Sequence, residues 1–378
     1  MQTIYMDNAA TTQPCGESVA RAEEYLKEYY FNPSAMYKEG FALSRELKAA
    51  REKLVSYVAD TASYDLTFTS CGTEADNTPV FSYARRGNAV TSAGEHSAIL
   101  APFAELKNRN VAETRFAPLE ADGRVNVGKL LELVDEKTTF VSVMHVNNET
   151  GAINDINAVA KKVKEKNPRV VFHSDGVQGF GKIPFRLGKE VDLYSLSAHK
   201  IGGLKGTGAL IRKKTLPIRP YLFGGGQENG WRSGTENVFG VKTLEYAAGK
   251  KFSSLAADYE RLASYRESLW SALDPGIFAR ISPKDGTPYI LTVSARGLRG
   301  EILLHLADDR GLIIGTGSAC SSNEKSRYSH VVLACGYDKI TADGVLRLSF
   351  SPATTKEETE RAAHILNACA RELLERTK

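Results

Sequence analysis

The feature that most constrains this chain is a rhythm running from about Tyr64 to Arg212. Short β-branched runs (DLTFTS, NAVTSA, TFVSVMHV, RVVFHSD and VDLYSLSA) alternate there with helical stretches. Strands separated by helix-length segments read as βαβ units, so the expected fold class is α/β with a mostly parallel central sheet. In such sheets ligands collect beyond the carboxyl ends of the strands, and that is where the unusual residues of this sequence fall. After Leu244 a long charged helical pattern (LEYAAGKKFSSLAADYERLASYRESLWSAL) leads to PYILTVSA, GVLRLSFS and a final helix, KEETERAAHILNACARELLERTK. This second pattern predicts a smaller α+β domain packed tightly on the first, with no linker between them.

Composition narrows the function. At 378 residues, with 42% hydrophobic and 25% charged, the chain has room for more than one core. Its net charge of +4 is spread among acidic residues, which argues against a nucleic-acid partner. No apolar run approaches a membrane span of roughly 18 residues. The first residues, Met1 to Asp7, lack the pattern of a secretory leader, so a cytoplasmic protein with no membrane partner is expected. Five cysteines, widely spaced and without a C-x-x-C pair, predict reduced thiols and no metal site. Cys335 and Cys369, in VVLACGY and LNACARE, read as core or helix-face residues, and Cys71 as a packing residue.

Two phosphate motifs fail. GVQGFGKI, from Gly176 to Ile183, matches a P-loop until Ile183 stands where Ser or Thr would hold magnesium. FGGGQENG and GTGSAC do not complete G-x-G-x-x-G, so nicotinamide binding is unsupported.

Four other segments carry chemistry together. Lys200, in SLSAHK, follows an apolar strand end where shielding from water would suit a Schiff-base amine. Asp175, in HSDGVQG, is positioned to pair with the pyridine nitrogen of pyridoxal phosphate (PLP), although a helix cap is the bland alternative. TSCGTE, residues 69–74, opens a helix whose N–H groups and Thr73 hydroxyl could hold a phosphate; a plain capping box from Ser70 or Thr73 is compatible with that role. His96, in GEHSAI, could lie over a flat ring and move protons, or could merely cap a helix.

Along the whole chain, DNAATT, NPSAMY, TSCGTEADN, GEHSAI, HVNNETGAI, SDGVQG, SLSAHKIGG, GGGQENGWRSGT, GTGSACSS and LRLSFS come in one order. In that order they resemble the cysteine desulfurases of the nitrogen-fixation and iron–sulfur assembly type, among the class V aminotransferase-like PLP enzymes. The resemblance implies a fold-type-I homodimer with its active site at the subunit interface. It implies a large domain over residues 15–255 and a small one built from 1–14 and 256–378. It further implies that Lys200 holds PLP covalently, Asp175 pairs with the ring nitrogen and His96 stacks on the ring, while Gln178 and Asn148 address the phenolic oxygen. Gly72, Thr73, Ser197 and His199 match phosphate binders, and Thr235 matches the one donated by the partner subunit. Arg347 matches the arginine that grips the substrate carboxylate, aided by Asn32; a solvent-facing place on an alternating strand is the alternative for Arg347.

Cys320 sits in GTGSACSS, a run of small residues followed by the polar NEKSRYSH, as expected of an exposed loop whose thiol can reach outward. The activity this implies is removal of sulfur from L-cysteine, giving alanine and a Cys320 persulfide. That persulfide would serve an acceptor protein, an iron–sulfur scaffold or a thiolation carrier, with His96 handling the substrate thiol proton. A selenocysteine lyase, another fold-type-I aminotransferase or lyase, and a catalytically silent sulfur-assembly partner stand as alternatives.

Overall fold

The structure, a computed structural model, describes residues 3–217, 219–317 and 327–377. Its strands in chain order are β1 (Ile4–Tyr5), β2 (Tyr64–Thr69), β3 (Asn88–Ser92), β4 (Glu113–Ala117), β5 (Thr138–Ser142) and β6 (Val171–Asp175). They continue with β7 (Leu193–Ser197), β8 (Gly208–Lys213), β9 (Phe278–Arg280), β10 (Ile290–Ala295), β11 (Leu312–Ile313) and β12 (Val345–Ser349). Seven of them form one sheet in the order β2-β8-β7-β6-β5-β3-β4. β8 runs antiparallel to both its neighbours, and the remaining pairs are parallel. The expected mostly parallel sheet is therefore present, with one reversed strand that the sequence pattern does not single out.

Buried apolar side chains on both faces explain why these runs pair in parallel: Val90, Val141, Phe172 and Leu196 are enclosed on one face, and Ala89, Phe140 and Leu193 on the other. A second apolar core gathers both ends of the chain. Ile4 and Met6 pack there with Leu262, Leu291, Leu303, Leu348 and Leu366. β1 pairs with β11, Ser349 N donates to Met6 O at 2.7 Å, and the Asn8 amide donates to Ser349 O at 2.9 Å. β9, β10 and β12 make a separate antiparallel sheet over this core.

The long helical pattern after Leu244 is two helices, Val238–Ser253 and Leu255–Ala272. They break at Ser254, whose hydroxyl bonds Lys250 O and the Asp258 carboxylate and so competes with the helical ladder. No described helix is long and apolar enough to cross a membrane.

Candidate active site

The carboxyl ends of β2, β3, β6 and β7 open on a cavity of about 260 Å³, whose lining includes Gly72, His96, Asp175, Gln178, Ser197 and Lys200. Segments distant in sequence meet here because their strands belong to one sheet and end on the same edge of it.

One end of the cavity is built for an anion. The helix Gly72–Tyr83 starts at Cys71, which has an extended backbone and makes no side-chain cap, so the capping box expected from Ser70 or Thr73 is not formed. Instead Ser70 N donates to the Glu74 carboxylate at 2.7 Å, and Gly72 and Thr73 of the first turn line the cavity. The buried Ser197 hydroxyl beside them has no hydrogen-bond partner. A Cβ at position 72 would stand 3.2 Å from that of Ser197, so glycine lets the strand end and the helix start come together. His199 lies nearby with Nδ1 3.1 Å from the Thr11 hydroxyl, and burial lowers its pKa to about 4.

The other end holds buried carboxyl groups. Asp175 accepts from Val177 N at 2.9 Å, and burial raises its pKa. Asp76, one helical turn into the helix at the anion end, lies next to it; burial first and the Asp175 charge second raise its pKa as well. Glu95, fully buried, is pushed up to about 8 by desolvation, with its Oε1 accepting from Ser92 Oγ at 2.6 Å and from Met144 N at 2.9 Å. Asp76 and Glu95 escape the sequence reading because a carboxylate in a helix start or turn is ordinarily a solvated residue, and their burial is set by the sheet.

Between the two ends lie the amine and the imidazole. Lys200 ends the short 3₁₀ turn Ala198–Lys200 after β7, and its Nζ donates to the carbonyls of Ala9 and Ala10, both at 2.7 Å. His96 caps the helix Ser97–Asn108, as the bland reading held, with Nδ1 accepting from Ala98 N at 3.1 Å. Burial and the neighbouring Lys200 lower its pKa to about 4, so the ring is neutral and carries its proton on Nε2. Capping and facing the cavity are therefore compatible in one residue. The Gln178 amide donates to Ala9 O at 2.9 Å, and Asn148 lines the same wall.

Arg347 is 1% exposed, so the solvent-facing alternative is wrong: β12 is covered on both faces. Its guanidinium donates to Asn148 O and to the Asp7 carboxylate, each at 2.9 Å, while Nε has no partner. Asn32 and Thr235 lie away from the cavity on exposed backbone, in segments tied together where Ser34 Oγ meets Glu236 Oε1 at 3.5 Å. Cys320 lies outside the described residues. Gly317 and Ser329, on either side of that segment, both abut the buried Glu149 carboxyl, to which Ser329 donates.

This donor set fits pyridoxal phosphate. An unpartnered hydroxyl and an uncapped helix start suit its phosphate, a buried carboxylate suits its protonated ring nitrogen, and a half-buried amine suits its aldehyde. The family described as Aminotransferase class-V matches residues 4–362. A cysteine desulfurase of Cereibacter sphaeroides is 34% identical over 97% of this chain and 95% of its own length. The protein named cysteine desulfurase IscS in Clostridium botulinum is 35% identical over 96% of this chain and 93% of its own. A solved structure described as a NifS-like protein superposes with a TM-score of 0.90 at 33% identity, covering 98% of this chain and 99% of that one. Fold, site and relatives agree, and the chain belongs to the class-V aminotransferase family, in its cysteine desulfurase branch.

Proposed function

We propose that this protein removes sulfur from L-cysteine, releasing L-alanine and leaving a persulfide on Cys320 for an acceptor protein. The observation that carries the reading is the meeting of Lys200, Asp175, His96 and an uncapped helix start in one cavity of a chain whose named relatives are cysteine desulfurases. Bound PLP supplies an electron sink for the charge left when the substrate loses its α-proton. The chain does the rest. Lys200 would hold the cofactor and, once freed by substrate, take the α-proton. Asp175 would pair with the ring nitrogen, Gln178 and Asn148 with the ring oxygen, and Gly72, Thr73, Ser197 and His199 with the phosphate. Arg347 keeps Nε unpaired and would meet the substrate carboxylate.

His96 enters in the tautomer described above. With Nδ1 occupied by Ala98 N, it offers a proton at Nε2 and acts as donor toward the substrate thiol. The Cys320 thiolate attacks the substrate sulfur, forming an S–S bond as the C–S bond breaks; the electron pair stays with the substrate carbon, which takes up a proton. Atoms balance as cysteine plus thiol giving alanine plus persulfide.

A homodimer belongs to this reading. Met36 (89% exposed), Phe223 (85%) and Tyr30 (70%) are large apolar side chains left at the surface of the segments that carry Asn32 and Thr235. Such a surface supports a partner subunit that brings Thr235 to the neighbouring cavity, with Asn32 beside it. The two cores support a division into residues 15–255 and 1–14 with 256–378. No disulfide joins the described cysteines, which supports the cytoplasm as the compartment.

The test is to give L-cysteine to the PLP-loaded protein and quantify alanine and protein-bound persulfide. Lys200→Ala and Cys320→Ala are expected to lose both products, by at least about 100-fold, as removal of a base or nucleophile does. Persulfide at the wild-type rate in Cys320→Ser would overturn the assignment of that thiol, and bound PLP without alanine would overturn the substrate.

A further inference from the structure

Lys182 is the last residue but one of GVQGFGKI, the run that fails as a P-loop. It is 3% exposed, between the turn after β6 and Tyr289, whose ring centroid lies 5.9 Å from its Nζ. Burying an ammonium costs several kcal/mol unless a partner repays it, so a lysine here calls for a reason. Its partner is Gln178, which presents Oε1 2.6 Å from Lys182 Nζ.

That contact fixes which way a symmetric-looking side chain points. A primary amide has an acceptor and a donor of similar size, and its neighbours alone decide the orientation. As an ammonium Lys182 has three donors and no acceptor, and so requires the amide oxygen. On the other side the Ala9 carbonyl requires the nitrogen, at 2.9 Å. The second N–H of Gln178 is then left for the cavity that the residue lines. The same Ala9 carbonyl accepts from Lys200 Nζ at 2.7 Å, so Lys182, Gln178, Ala9 and Lys200 form one continuous hydrogen-bonded line.

We infer that Lys182 is a positioning residue for the cofactor: by donating to Gln178 Oε1 it holds the amide with an N–H toward the cavity, where the ring oxygen of PLP would accept it. The inference rests on the PLP reading above. A donor held at the ring oxygen draws off negative charge and makes the nearby Schiff-base nitrogen more acidic, which the visible spectrum of bound PLP reports.

The experiment uses the PLP-loaded dimer or monomer as purified. It compares wild type, Lys182→Met, Gln178→Ala and the double variant by the pH midpoint of the bound cofactor's visible absorption and by cofactor affinity. Lys182→Met should raise the midpoint by about one pH unit and weaken PLP about tenfold, the worth of one hydrogen bond to a charged oxygen. Gln178→Ala should do the same, and the double variant should go no further than Gln178→Ala. A folded Lys182→Met with an unchanged midpoint overturns the inference, as does a shift that adds in full to that of Gln178→Ala. Lys182→Leu is read by the same criteria if Lys182→Met does not fold. Absence of the visible band in wild type would remove the proposed function and this role with it, whereas a normal band untouched by both lysine variants removes this role alone.

Discussion

Glu95 illustrates how burial beside the site, within the field of Asp175, converts a common side chain into a titrating group. Its folded pKa of about 8 lies above its ordinary value of 4.5, so between those limits the folded chain binds the proton more tightly than the unfolded one. Stability from this group is fully present below about pH 4.5 and is lost as pH rises through 8. Glu95→Gln keeps a neutral side chain and the acceptor for Ser92 and Met144. The difference in stability between wild type and Glu95→Gln should therefore change by roughly 3 to 5 kcal/mol between pH 4.5 and 8.5, against wild type at the alkaline end, measured by urea unfolding of the cofactor-free protein. His96, His145, His173 and His199 also titrate differently on folding, but they are common to both proteins and cancel in the difference. At this scale the sequence was informative where a residue type and its neighbours name a chemistry, as with Lys200 or His96. It was silent on Lys182, Asp76 and Glu95, since their importance comes from charge enclosed by elements far away in sequence.

Among the elements, the reversed strand β8 governs the anion end of the cavity. It starts at Gly208, where an added Cβ would stand 2.5 Å from the carbonyl carbon of Cys71 and 2.9 Å from Gly72 N. Both are rigid backbone at the helix start, so Gly208→Ala must push that turn toward the cavity. We expect Gly208→Ala to weaken PLP by about tenfold or more while the sheet still forms, an overpacking cost of roughly 1–3 kcal/mol placed on the phosphate end. Cofactor titration by fluorescence, with circular dichroism as the folding control, checks this. Strands β2, β3, β5, β6 and β7 were legible because each is a β-branched run after a helix-length gap. GALIRK was not, because it follows β7 through a glycine-rich turn and returns antiparallel, outside the alternating rhythm. The charged edge strand β4, ETRFA, likewise lacks an apolar run to announce it.

At the scale of the whole molecule, the set of exposed apolar side chains Tyr30, Met36, Tyr37, Phe41 and Phe223 bears on assembly. If the proposed dimer buries it, Met36→Glu with Phe223→Glu should shift the protein to monomers in sedimentation equilibrium. Alanine production should fall about tenfold or more with it, because Thr235 would no longer reach a neighbouring cavity; a fully active monomer would remove Thr235 from the site. The motif order carried this expectation, while the exposure of these side chains is set by the fold and cannot be read from their places in the sequence.

The joining of the two chain ends has a consequence in time. Ala9 and Ala10 supply the carbonyls that hold Lys200, yet their segment is anchored by β11 and β12, which are made some 300 residues later. At ribosomal rates that interval is roughly 15–60 s. The large sheet can pair during it, but the amino terminus must wait for the strands that fix it. The segment around Ala9 and Ala10 is thus made early yet is among the last to find its place, and a growing chain holds Lys200 without the carbonyls that later restrain it.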